Sequence, residues 1–145
     1  MREAILRILN SEMRLSTGCT EPAAIALCAA ATRRALGVPA ETVRVSASGN
    51  IVKNAMAAGI PHTDWTGIRA AAAIGACGAD ADAGLEILDR ADAAVRGAAG
   101  ALLAAGAVTL ELAETEEPLY VGVTLSGGGH TARAVIAGDH ERVVR

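Results

Sequence analysis

The chain has 145 residues and 14.6 kDa, a length for one globular domain, and its 52% hydrophobic and 20% charged residues allow a core and argue against disorder. A net charge of −3, with one Trp, one Tyr and no Phe, leaves no basic tract and no stacking platform for nucleic acid. No apolar run reaches the ~18 residues of a membrane span, and three cysteines without a signal-peptide core read as a reduced cytoplasmic protein rather than a disulfide scaffold. Alanine, at 34 residues, supplies the bulk that aromatics usually supply. That composition predicts close helix packing, with a homo-oligomer adding buried area.

From Arg2 to Met13, Ile5, Ile8, Leu9 and Met13 form the stripe of an amphipathic helix. Thr20-Glu21-Pro22 reads as the start of a second helix: a hydroxyl cap, an acid in the first turn, and a proline where no amide partner is needed. That helix runs through Ile25, Cys28 and Leu36 and stops at Gly37-Val38-Pro39. Thr42 to Ser48 alternates as a half-buried strand, Ser48-Gly49-Asn50 is a turn or cap, and Ile51 to Ala58 is a short helix. Gly59 to Asp64 is a loop, followed by an Ala-rich helix from Gly67 to Cys77. Asp80 or Asp82 can cap a short helix through Leu88, and Asp89 another that ends at Gly106.

Beyond Gly106 the period changes to 2. Val108-Leu110-Leu112 and Leu119-Val121-Val123-Leu125 alternate around a hairpin loop at Glu114 to Pro118. Gly127-Gly128-Gly129 turns into a third run, Thr131 to Ala137, and Glu141 to Val144 reads as a fourth short strand. The expected class is α+β, with Ala-rich helices on an antiparallel sheet made of one early strand and a C-terminal meander, in a single domain over residues 1–145.

Three segments can carry chemistry. In Gly18-Cys19-Thr20-Glu21-Pro22 a thiol precedes a helix N-terminus, where amides and dipole favour the thiolate that ligates metal or attacks an electrophile; the other reading is a small buried residue in a cap loop. Cys28, on an apolar helix face, and Cys77, at an Ala/Gly-rich helix end, read as packing residues, and the three cysteines match no zinc spacing. In Gly49-Asn50-Ile51-Val52-Lys53-Asn54, Lys53 is the single lysine beside twelve arginines. It can serve as a base or carboxylate anchor, with the Asn50 and Asn54 amides on a polar substrate, or be a solvated helix residue. Pro61-His62-Thr63-Asp64-Trp65-Thr66-Gly67 opens onto a helix N-terminus suited to a carboxylate. Gly127-Gly128-Gly129-His130-Thr131 lacks a phosphate-loop ending and reads as a hairpin turn.

Taken in order, Gly-Cys-Thr-Glu-Pro, Ser-Gly-Asn-Ile-Val-Lys-Asn, Ile-Pro-x-Thr-x-x-x-Gly-Ile, Gly-x-x-Gly-x-Asp-Ala and Gly-Gly-Gly-His-Thr resemble the L-cysteine desulfidase family, related to the iron–sulfur L-serine dehydratase alpha chain. The resemblance runs from Glu3 to about Val144 in one register and covers the family's N-terminal part only. It implies a lyase that uses a [4Fe-4S] cluster and no pyridoxal phosphate, in which an open iron polarises the β-leaving group while a base removes the α-proton. The products are pyruvate, ammonia, and sulfide or water. Carried over, Cys19 is the one cluster ligand, Lys53 is catalytic, and Ser48, Asn50, Asn54, Thr63 and Gly67 line the substrate region. Family members are much longer, with their other cluster cysteines in a C-terminal part that Cys28 and Cys77 do not match. His62, where the family has Asn, and Asp64-Trp65, where it has glycine, are further departures. The expectation is therefore an N-terminal half or split subunit completed by a second chain that carries the missing cysteines. A fragment of a longer enzyme and a non-catalytic small-molecule-binding or oligomeric scaffold domain are the other readings.

Overall fold

A computed structural model describes residues 2–9, 20–56, 58–60, 63–78, 87–115 and 120–137. Strand β1 (Arg2–Leu9) is followed by helix α1 (Thr20–Leu36), strand β2 (Thr42–Ala47), helices α2 (Gly49–Ala55), α3 (Gly67–Ala76), α4 (Ile87–Arg90) and α5 (Ala93–Ala104), and strands β3 (Val108–Leu112), β4 (Tyr120–Gly127) and β5 (His130–Ala137). The class is α+β. The five strands form one sheet in the order β1-β5-β4-β2-β3.

Local chemistry places most of these ends. Helix α1 begins at Thr20, and its last turn carries Arg33 and Arg34, which complement the negative end of the helix dipole. It ends where the Gly37 amide, at φ +78°, donates to the Arg33 carbonyl at 3.1 Å. Asp92 rather than Asp89 caps α5, its Oδ1 accepting from the Val95 amide at 2.9 Å. Gly128 and Gly129, both at positive φ, make the tight turn that joins β4 to β5.

The strand alternation directs Val43, Val45 and Ala47 of β2, Val121, Val123 and Leu125 of β4, and Ala132, Ala134 and Ile136 of β5 into one core, against α1 and α3. α3 packs on α1 as closely as alanine and glycine allow: a Cβ on Gly75 would run into the Ala26 carbonyl oxygen and lie 2.8 Å from the Ala29 Cβ. α5 packs on α3 from outside, and of its residues only Ala99 is buried. The opposite sheet face carries Thr42, Arg44, Thr109 and Glu111, all exposed.

Three expectations are corrected. Residues 2–9 are a strand parallel to β5, not a helix. The segment has a period-2 set, Ala4, Leu6 and Ile8, overlapping its helical stripe, and these hold register positions opposite Ala132, Ala134 and Ile136; pairing with an open edge overrides the local pattern. β3 and β4 are not a hairpin, because β2 lies between them, parallel to β3 and antiparallel to β4. The sheet is consequently mixed rather than antiparallel, and the parallel β2–β3 pair is bridged by the run of helices from α2 to α5, as a parallel crossover requires. The short helix through Leu88 is present as α4, whereas the run Glu141 to Val144 lies outside the described residues.

Candidate functional site

The two polar segments around Ser48 and Gly67 meet in space. Ser48 leaves the end of β2 with its amide donating to the Tyr120 carbonyl at 3.0 Å, and it is 3% exposed. Its Oγ accepts from the Ile51 amide at 3.4 Å, capping α2. Asn50 is exposed in the first turn, Lys53 is exposed in the last, and Asn54 lies in the same helix.

A closed loop then carries the chain to α3. The Ile60 amide donates to the Trp65 carbonyl at 3.0 Å, and Gly59 bridges Thr66. The Thr63 hydroxyl donates to the Ile60 carbonyl at 2.9 Å and accepts from the Trp65 amide at 3.0 Å, so it builds the loop instead of facing a ligand. Gly67 starts α3 at φ +90°, where its amide donates to the Ala58 carbonyl at 2.9 Å and a Cβ would lie 3.1 Å from the Met56 carbonyl oxygen. Only glycine fits this approach without strain.

This clamp leaves a cavity of about 290 Å³ lined by Val52, Met56, Thr66, Gly67, Ile68, Arg69 and Leu110. Thr66 stands at the N-cap of α3, yet its hydroxyl makes no capping bond and is exposed at the rim. Arg69, Met56 and Leu110 went unnoticed in the sequence. Arg69 had a signal, being the single charged residue of Gly67–Ala76; Leu110 had none, since only the parallel pairing of β3 with β2 brings it under α2 and α3. A second, more polar cavity of about 470 Å³ opens at the C-terminal ends of β2 and β3, with Ser46, Glu111, Glu114, Thr115 and Tyr120 in its wall. There the Tyr120 hydroxyl accepts from Arg133 Nη2 at 2.8 Å.

Cys19 and His62 lie outside the described residues. Cys28 is fully buried in α1, its thiol donating to the Ala134 carbonyl at 3.3 Å, and burial pushes it up to about 12, so it is no thiolate ligand. Cys77 sits at the far end of α3 from Gly67, about 15 Å along a ten-residue helix. Among the described residues no three His, Cys, Asp or Glu side chains are grouped to hold a metal ion. No helix among them is long and apolar enough to cross a membrane.

Fold and cavity define a two-layer α+β protein with a small, polar-rimmed site between α2 and α3. The chain is similar to UPF0597 proteins: 41% identical over 138 residues to one from Oleidesulfovibrio alaskensis, 41% over 144 to one from Dichelobacter nodosus, and 38% over 143 to one from Methanocella arvoryzae. These alignments cover 95%, 99% and 99% of the chain but 32%, 33% and 34% of the relatives, so it spans about a third of the length of the curated relatives it matches. No family model matches the chain, and no solved structure matches it. The relatives correct the assignment drawn from the sequence motifs: they are named UPF0597 proteins, and none of them is named a cysteine desulfidase or a serine dehydratase.

Proposed function

We propose that this chain is the substrate-holding portion of a lyase that performs β-elimination on a small amino acid, L-cysteine or L-serine. The observation that carries the reading is the cavity of about 290 Å³ between α2 and α3, a volume for a ligand of few heavy atoms, with polar groups at one rim and apolar walls behind. The Arg69 guanidinium and the first turn of α3 suit the substrate carboxylate, and the Thr66 hydroxyl is placed for its amino group. Lys53 follows Val52 of the cavity wall and is exposed; it is the candidate base for the α-proton. In the elimination the α-proton and the β-thiol or hydroxyl leave, and the resulting enamine hydrolyses through its imine to pyruvate and ammonia.

A mixture of the purified chain with a polypeptide corresponding to the other two-thirds of a UPF0597 relative tests this reading, with pyruvate as the readout for L-cysteine and L-serine. Pyruvate formation that falls at least about tenfold in Arg69→Ala supports it, an amount that one charged hydrogen bond supplies. Binding of serine to the chain without turnover in any mixture would instead make it a non-catalytic small-molecule-binding domain. That second reading has its own observation, because the Ser48 and Thr63 hydroxyls are engaged in cap and loop. Absence of both binding and turnover rejects the site.

A further inference from the structure

A third cavity lies at the other end of α3, where the C-terminal ends of α1 and α3 meet α5, and the elimination reading makes no use of it. Its volume is about 440 Å³, and its wall includes Arg33, Pro39, Ala76, Cys77, Ala98 and Leu102. It is an open groove with a compositional cause: the small side chains of α3 and α5, Ala98 among them exposed, leave space that larger ones would fill. Among its described lining residues Arg33 alone is charged and Cys77 alone carries a nucleophile. Arg33 is half-buried in the last turn of α1, where the helix dipole favours a cation. The guanidinium fork matches a carboxylate in two parallel hydrogen bonds, and an apolar surround strengthens them.

We propose that this cavity binds a small carboxylate with an apolar body, the carboxylate on Arg33 and the body against Ala76, Ala98 and Leu102, seated over Cys77. Charge complementarity selects the anion, and the alanine walls select an unbranched body over a polar one. Cys77 is half-buried, and burial pushes its thiol up while the nearby Arg33 opposes the shift, so the thiol reports on occupancy by slow alkylation. The ligand itself needs no covalent step.

The test is the rate at which iodoacetamide labels Cys77 in the 145-residue chain, read by peptide mass. The Cys77 thiolate displaces iodide, an S–C bond forming as the C–I bond breaks, and the thiol proton passes to water. Hexanoate at several times its Kd should slow this labelling at least about fivefold by mass action, and hexan-1-ol, of equal length and no charge, should slow it far less. Arg33→Gln should remove the advantage of hexanoate over hexanol. Equal protection by the two overturns the carboxylate anchor, and protection by neither overturns the site. The hexanoate–hexanol comparison on the unaltered chain decides the matter if the variant fails to fold.

Discussion

Cys28 shows how one side chain ties chemistry to fold. A thiol at this depth, with its proton on the Ala134 carbonyl, is held in its neutral form up to about 12, against an ordinary value of 9.0. The unfolded chain releases that proton near 9.0 while the folded chain keeps it, so the unfolded state binds fewer protons between those values and stability falls as pH rises through the window. Denaturant unfolding should lose about 1 kcal/mol per pH unit there, and Cys28→Ala should remove this part of the slope. Below pH 8 the two proteins should share the same pH dependence. Gly67 is a residue of the opposite kind, present because it has no side chain. Gly67→Ala meets the Met56 carbonyl oxygen and a left-handed backbone, which should cost about 1–2 kcal/mol. It should also weaken the serine binding proposed for the adjacent cavity, as calorimetry would show.

At the scale of elements, the helical layer depends on two local devices. The Asp92 cap starts α5, and Asp92→Ala should lower stability by about 1 kcal/mol with little change in the rest of the fold, measured by thermal unfolding. Gly75 is where α3 touches α1 backbone to backbone. Gly75→Ala adds a methyl group with nowhere to go and should cost about 1–3 kcal/mol or more, far beyond an exposed alanine substitution such as Gly97→Ala, whose Cβ would meet nothing within 4 Å. The same closeness explains why a chain nearly without aromatics still builds a core: small side chains let two helices approach until their backbones fill the space.

For the whole molecule, strand order is the defining result, and it can be read out chemically. Arg44 of β2 and Thr109 of β3 are register partners, so Arg44→Cys with Thr109→Cys should form a disulfide on mild oxidation. Thr109 and Thr124, which a β3–β4 hairpin would make neighbours, have β2 between them and stand about 9–10 Å apart, so the corresponding cysteine pair should stay reduced. Crosslinking of the second pair and not the first would restore the hairpin. This sheet and its helices span about a third of the length of the UPF0597 relatives that the chain matches.

Much of this was legible residue by residue. The start of α1 at Thr20, the cap at Ser48, the glycine turn after Gly127 and the inward faces of β2, β4 and β5 all follow from local rules of capping, turn geometry and period-2 alternation. The polar segments around Lys53 and Gly67 were also visible, but not the Leu110 wall that joins them or the use of the Thr63 hydroxyl inside its own loop. Residues 2–9 carry a helical and an alternating pattern at once, and only the free edge of β5 selects the strand. Neighbours in a sheet are likewise chosen between segments distant in sequence, by which edge is open and which faces are apolar, and alternation within one strand contains no information about its partner. Local structure is written in neighbouring residues, whereas pairing and cavities come into being only when distant ones compete for the same surface.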